Sequence, residues 1–288
     1  MKKFFSILLA VAMIVSCMAI FTACDEEGAA ATATGVKVVD IALTDELYAF
    51  GVKKDDPELL NKVNEFIAEV KSNGQLDEIL DKYFGDGKPE GVVSAEEDAT
   101  KDQLVVITNA EFAPFEYIEG TTYYGVDMEL AKLLADYLDK ELVIKNVDFD
   151  VVCSQIDAGY GDIAMAGLTV NETRTQFVNF SDSYYTACQM VIVKNGDTTF
   201  DSCKTAEDVE AILKGFDNKT TIGVQTGTTA QYYVEGDADW GFDGFDAACT
   251  GYNSGALAVQ DMLNGNIDYV IIDEAPANSI VEAVNAVN

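Results

Sequence analysis

The sequence predicts an α/β fold of two lobes, with mixed, mostly parallel sheets and a cleft between the lobes. Three observations predict it. Short apolar runs alternate with stretches of helical periodicity, the pattern of strands feeding helices. The alternation comes in two successive sets, one over residues 104–166 and one over 206–286. The loops that leave the apolar runs hold distinctive glycine, ring and charged residues, and ligands of open α/β sheets gather at such strand ends. With 288 residues the chain is long enough for two ordinary domains, and 49% hydrophobic with 24% charged residues is a globular balance.

Taken in order, residues 36–41 and 47–52 read as strands. Asp56-Pro57 then opens a helix, with aspartate as N-cap and proline in the first turn. Leu59, Leu60, Val63, Phe66, Ile67 and Val70 recur at helical spacing, and Asn73-Gly74 closes the helix. Leu76, Ile79, Leu80, Tyr83 and Phe84 mark a second helix that ends at Gly85. Residues 86–102 are rich in glycine and acidic residues and read as a linker, with a reach of roughly 60 Å if extended. Strands follow at 104–107, 142–144, 163–166, 189–193, 221–225 and 268–272. Helices follow Gly125-Val126-Asp127, at 151–158 and 206–214, from Thr229, and at 255–264 and 275–286.

Composition excludes several functions. The chain has no histidine, which removes Ser-His-Asp and Cys-His catalysis and every histidine-containing zinc site. A formal charge of −32 argues against nucleic acid, whose binding rests on cations meeting phosphates, and against anionic membrane surfaces. Cys153, Cys188, Cys203 and Cys249 do not form a CxxC metal pattern. Buried thiols are expected for most of them, with Cys203–Cys249 as an open pairing. Asp237, Asp239, Asp243 and Asp246 lack the spacing of an EF-hand loop and read as a solvated acidic loop.

The N-terminus reads as a targeting segment. Lys2 and Lys3 precede an apolar run over residues 4–20, then Phe21-Thr22-Ala23-Cys24. This resembles a bacterial lipoprotein signal, which implies a signal peptide over residues 1–23, a lipid on Cys24 and a tether over residues 24–35. A plain secretory signal and an uncleaved anchor are the rival readings. No later stretch has the apolar length of a membrane span.

Four strand-end motifs hold candidate chemistry. Ala166 to Arg174, AGLTVNETR, ends in the only arginine among 18 basic residues. A guanidinium grips a carboxylate with two parallel hydrogen bonds, which an ammonium cannot copy. Gly167 admits a ligand close to the backbone and Thr169 offers a hydroxyl. The bland alternative is a surface arginine paired with one of 50 acidic side chains. In TNAEFAPFEY, Phe112 either faces the cleft or joins Phe115 in the core, with Asn109 and Glu111 as polar neighbours. In GVQTGTTA, a strand enters a helix at Thr228, a weak anion site or a simple turn. Asp273 either accepts from an ammonium or caps the helix that follows it.

Together, TNAEFAPFEY, GVDMELAKLLADYL, AGLTVNETR with FVNFSDSYY, IGVQTGTTAQYY and GYNSGALAVQDMLNGNIDYVIIDEAPA resemble the family 3 extracellular solute-binding proteins, the amino-acid receptors of ABC importers. The resemblance covers nearly all of residues 103–288. It implies the type II periplasmic-binding-protein (Venus-flytrap) fold, whose two lobes close on a ligand across two hinge strands. It implies that Arg174, Thr169, Gly167 and Thr228 hold an α-carboxylate and Asp273 an α-ammonium. Phe112 and Phe149 would sandwich the side chain, with Asn109, Glu111 and Gln225 near its tip.

Members of that family end with a segment resembling DELYAFGVKK and PELLNKVNEFIAEVKSNGQLDEILDKYFG. Here it stands at residues 45–85, ahead of everything else. The expectation is a circular permutant; a truncated tandem copy is the alternative. The large lobe is then 45–85 plus 103–188, joined by linker 86–102, and the small lobe 36–41 plus 193–288. The resulting functional expectation is a monomeric, non-enzymatic amino-acid receptor without cofactor. It is lipid-anchored at the outer face of the cytoplasmic membrane and takes a free, polar amino acid to an ABC permease. The alternative is an exported enzyme on the same scaffold, such as a dehydratase using Glu111 or Glu116.

Overall fold

The computed structural model describes residues 35–85 and 87–287, so the signal segment, Cys24 and the tether to residue 34 lie outside the described residues. Strand β1 (Val36–Val39) is followed by β2 (Glu46–Tyr48) and β3 (Gly51–Lys53). The expected strand 47–52 is split because the amides of Ala49 and Phe50 turn to Leu168 and Ser181. Helix α1 (Pro57–Ser72) starts as expected: Oδ1 of Asp56 accepts from the amide of Leu59 at 2.9 Å. Its apolar stripe, Leu59, Val63, Phe66, Ile67 and Val70, is buried. Gly74 takes a φ of +83° and turns the chain into α2 (Gln75–Phe84).

The segment expected as a linker lies as a strap against the lobe. Val92 exchanges both backbone hydrogen bonds with Tyr123, and the amide of Ala95 donates to the carbonyl of Leu142. Oγ of Ser94 accepts from the amide of Ile144 at 2.8 Å. Glu129, 6% exposed, accepts from Lys82, Tyr83 and the amide of Glu90, which fastens the start of the strap. Composition marked a break in periodicity there, and these backbone partners filled it.

The chain continues through β4 (Gln103–Thr108), a meander of β5 (Glu111–Phe112), β6 (Glu116–Glu119) and β7 (Thr122–Tyr124), helix α3 (Val126–Tyr137) and β8 (Glu141–Asn146). Helix α4 (Val152–Asp157) and β9 (Ile163–Ala164) follow, then β10 (Val178–Phe180), β11 (Tyr185–Ala187) and β12 (Gln189–Lys194). The last third holds α5 (Ala206–Leu213), β13 (Thr221–Gln225), α6 (Thr229–Glu235), β14 (Ala248–Tyr252), α7 (Gly255–Leu263), β15 (Tyr269–Asp273) and α8 (Glu274–Ala286).

Two five-stranded sheets organise the lobes, in orders β10-β3-β9-β4-β8 and β1-β12-β15-β13-β14. Each is mixed. β4 runs parallel to β8 and β9, and β13 parallel to β14 and β15. The remaining strands, β3 and β10 in one sheet and β12 and β1 in the other, pair antiparallel, so the sheets are less uniformly parallel than the alternation of elements predicts. The described chain crosses between the sheets along residues 40–50 and 181–188. The two crossings pair as β2 with β11, Tyr48 opposite Tyr185. Ile107, Val152, Ile156 and Leu168 fill one core and Val191, Leu213, Val224 and Ile271 another, each worth about 1.5–3 kcal/mol on burial. Among the described residues all four cysteines are free, and Cys203 and Cys249 pack against the second core without pairing.

Candidate functional site

The two sheets meet at a cavity lined by Phe112, Phe149, Gly167, Thr169 and Arg174 from one lobe and Thr228, Thr229 and Asp273 from the other. Each of these residues stands at or beyond the C-terminal end of a strand: β4, β8, β9, β13 or β15. That is the strand end at which ligands of α/β sheets bind. The cavity measures about 10 Å³, room for about one water molecule, so a larger guest enters only with the lobes apart.

Arg174 stands in a turn of 3₁₀ helix, Arg174–Gln176, whose start is held by Asn171: its Oδ1 accepts from the amide of Arg174 at 2.7 Å. The side chain is 8% exposed. Nη1 donates to the carbonyl of Thr169 at 2.8 Å and Nη2 to that of Gly227 at 3.1 Å, the second bond reaching across to the other lobe. Its Cζ lies 5.2 Å from the ring centre of Phe149 and 5.2 Å from that of Trp240. Among the described residues no carboxylate pairs with it, although the chain has 50 acidic residues. The surface-pair reading therefore fails. A buried cation without a counter-ion costs several kcal/mol, and an anion brought to its in-plane edge removes that cost.

Asp273 occupies the N-cap position of α8 but makes no capping bond. Its Oδ1 accepts from the hydroxyl of Tyr48 at 2.6 Å. Burial, and next the neighbouring Glu46, push its carboxyl up to about 7. Behind it stands Glu46, 5% exposed. Its Oε1 accepts from Thr44 (2.6 Å) and Gln189 (2.9 Å), and its Oε2 from Thr169 (2.6 Å) and Thr229 (2.8 Å). Thr169 and Thr229 belong to different lobes, so this carboxylate joins them. The hydroxyl hydrogen of Thr169 is thereby given to Glu46, and it is the carbonyl of Thr169 that meets Arg174.

Gly167 has a φ of +54°, and a Cβ there would meet the Phe112 ring at 3.0 Å. Its amide donates to Oδ2 of Asp127, so Gly167 supplies room at the cavity and its N–H is already committed. Phe112 lines the cavity and, 4% exposed, also packs in the core on Phe115, which is fully buried, with ring centroids 6.2 Å apart. Thr228 lines the cavity with its hydroxyl donated to the carbonyl of Gln225. Gly227 has a φ of +78°, and a Cβ there would stand 2.9 Å from Cα of Asp150 in the other lobe. Asn109 and Gln225 are buried but do not line the cavity; they bond to each other across the lobes, Nε2 of Gln225 to Oδ1 of Asn109 at 2.9 Å. Glu111 is exposed and does not line the cavity.

Sequence reasoning missed three residues here. Tyr48 and Glu46 sit in an unremarkable strand, and a single sequence holds no signal that β2 passes behind Asp273. Trp240 lies in the loop read as solvated acid; being the only tryptophan was its one signal.

A two-lobed α/β binding protein with an arginine and an aspartate facing one interlobe cavity is the class that fold and site define. The chain belongs to the bacterial extracellular solute-binding proteins, family 3, whose profile matches residues 8–86 and 104–279. It is 32% identical over 178 residues to the arginine-binding extracellular protein of Bacillus subtilis, covering 62% of this chain and 63% of that one. An ancestral arginine-binding protein solved with arginine superposes with a TM-score of 0.53 at 33% identity, over 63% of this chain and 74% of the other. An ancestral amino-acid-binding protein described as a precursor of cyclohexadienyl dehydratase gives a TM-score of 0.50 at 29% identity, over 60% and 70%. The chain spans less than two-thirds of the length of the first curated relatives it matches, 63%, 58% and 63%.

Proposed function

We propose that the protein is an extracellular amino-acid receptor of an ABC importer, closing its lobes on the zwitterion of a polar amino acid. The observation that carries this reading is Arg174, a buried guanidinium without a carboxylate partner among the described residues, lining one cavity with a buried Asp273. In this reading Arg174 takes the α-carboxylate, with the Thr228 turn and Thr169 beside it. Asp273 takes the α-ammonium, and Phe112 and Phe149 flank the side chain. Oε1 of Gln225 is a buried acceptor without a partner among the described residues and favours a polar side chain. A micromolar affinity needs about 8 kcal/mol, which charge-assisted bonds of about 1.5–3 kcal/mol each supply after ordering costs. The permease would read the closed shape, a hinge transition about the β2–β11 crossings.

The reading includes export, a lipid on Cys24 at the outer face of the membrane, and a monomeric receptor. The dehydratase alternative finds less support, because Glu111 faces solvent and Glu116 is sealed at 0% exposure away from the cavity lining. The permuted order is supported by β3, from early in the chain, lying between β9 and β10. It is also supported by Asn285 near the end, which bonds both the amide and the carbonyl of Val36 at 3.1 and 2.8 Å. Calorimetry of residues 24–288 against the twenty L-amino acids and cystine, with the bound compound recovered and weighed, tests the function. Tight binding of one amino acid recovered unaltered is expected. Recovery of a transformed product, or no binding at all, defeats the receptor reading.

A further inference from the structure

We propose that Trp240 is a positioning residue of the carboxylate clamp: it closes on Arg174 from the opposite lobe and fixes the plane of the guanidinium. The proposal rests on the amino-acid-binding reading. Four flat groups follow one another across the seam. Tyr232 and Trp240 stack with centroids 4.7 Å apart and planes 19° apart, both in the second lobe. Arg174 stands 5.2 Å beyond Trp240, and Phe149 5.2 Å from Arg174, both in the first lobe. The contact between Trp240 and Arg174 therefore forms only when the lobes meet.

The chain builds a rigid support for this ring. Oδ1 of Asp237 accepts from the amides of Asp239 and Trp240 at 2.8 and 3.2 Å. Asp237 and Phe242 exchange backbone hydrogen bonds at 2.9 and 3.0 Å, closing a tight hairpin around the tryptophan. Gly236 (φ +83°) and Gly244 (φ +73°) stand at its base, where a Cβ on Gly244 would lie 2.5 Å from the amide nitrogen of Gly236. The acidic stretch is thus a frame for an indole. Nε1 of Trp240 is buried with no acceptor among the described residues, so the ring of Tyr232 and the Arg174 cation, not a hydrogen bond, hold the indole.

The chemistry follows from the shape of a guanidinium. Its donors lie in its plane and its faces suit aromatic rings. With Phe149 and Trp240 beside it, the edge left for an anion is the in-plane one, the geometry of a two-point carboxylate bond. Loss of the ring leaves Arg174 held by the carbonyls of Thr169 and Gly227 but without the ring that backs its plane from the second lobe, so the ligand leaves faster once bound.

Trp240 is the only tryptophan in the chain, so its emission reports the site directly. The test uses residues 24–288 and the twenty L-amino acids, L-arginine first, with calorimetry and stopped-flow fluorescence on wild type, Trp240→Phe, Trp240→Leu and Tyr232→Leu. The amino acid that binds is expected to change the emission. Trp240→Leu should weaken its affinity about tenfold, mainly through release, with the melting temperature kept. Trp240→Phe should recover to within about threefold, since a ring face is restored. If Trp240→Leu does not fold, Tyr232→Leu, which removes the backing ring, carries the same expectation in weaker form. Binding by Trp240→Leu within about twofold of wild type overturns the proposal alone, as does unchanged emission while calorimetry records binding. A wild type that binds no amino acid overturns the receptor reading and this proposal with it.

Discussion

The Tyr48 hydroxyl donates to Oδ1 of Asp273 at 2.6 Å, so a strand that crosses between the lobes holds the carboxylate at the mouth of β15. Both residues are buried, Tyr48 at 0% and Asp273 at 4% exposure. This bond favours the charged carboxylate against the burial that disfavours it. Tyr48→Phe is expected to leave more of Asp273 protonated at neutral pH and to weaken amino-acid binding about tenfold at pH 7. Calorimetry at pH 7 and 8.5 checks it: the deficit should shrink at the higher pH. An equal deficit at both assigns Tyr48 a role in packing only.

Stability should fall as pH rises from about 4 to about 7. Burial pushes both Asp127 and Asp273 up to about 7, well above the usual carboxylate range near 4. Between those values the folded chain keeps protons that the unfolded chain gives up. Their contribution is full below pH of about 4 and lost by about 7. Self-repulsion of a chain of net charge −32 acts in the same direction. Scanning calorimetry from pH 5 to pH 8 should show a falling melting temperature, with a shallower slope in an Asp127→Asn, Asp273→Asn double variant. A slope unchanged by the double substitution would show that these two carboxyls do not set it, leaving charge repulsion and the buried Glu116, whose carboxyl burial also pushes up.

Arg174→Lys should keep the fold and cut amino-acid affinity at least about tenfold, because an ammonium offers neither the planar fork nor the delocalised cation that stands 5.2 Å over the rings of Phe149 and Trp240. Isothermal calorimetry with circular dichroism as the folding control decides it. Wild-type affinity in this variant would sink the clamp.

Glu46→Ala should destabilise the protein by about 2–4 kcal/mol, since Thr44, Thr169, Gln189 and Thr229 all lose their acceptor. Glu46→Gln should lose less, as hydroxyls turn to accept from its amide. Denaturant unfolding of the two variants beside wild type measures the difference, and equal stability of all three would show that the hub carries no energy.

A chain reopened within residues 86–102 and joined from residue 287 to Gly35 by a short turn should fold to the same structure. Asn285 already bonds Val36, so the new joint spans little space. The strap is the part at risk, because Val92 and Ala95 pair with Tyr123 and Leu142. Circular dichroism and a melting temperature within a few degrees of the parent are the expected result. A chain that stays unfolded counts against the permuted reading.

Much of this protein was legible before any coordinates. The Asp56 cap, the left-handed Gly74 and the stripes of α1 are local events, settled by a few neighbouring residues, and all stand where the spacing put them. Arg174 was legible because it is the only arginine, and Asp273 because it ends an apolar strand before a helix. Less was legible in the short strands β5, β10, β11 and β14, whose existence depends on partners distant in sequence.

What the sequence by itself determined is the α/β class, the helices, and which residue types stand at the strand ends. These follow from periodicity and capping, which act over one or two turns of chain. Only the tertiary structure decided which of those ends face one another. It set Thr169 and Thr229 on one carboxylate of Glu46, 123 and 183 residues away along the chain. It turned Glu111 to solvent and brought Trp240 over Arg174. The reason is physical. A buried charge must find partners in space, and the two crossings that bring the lobes together choose those partners from residues that the order of the chain keeps far apart.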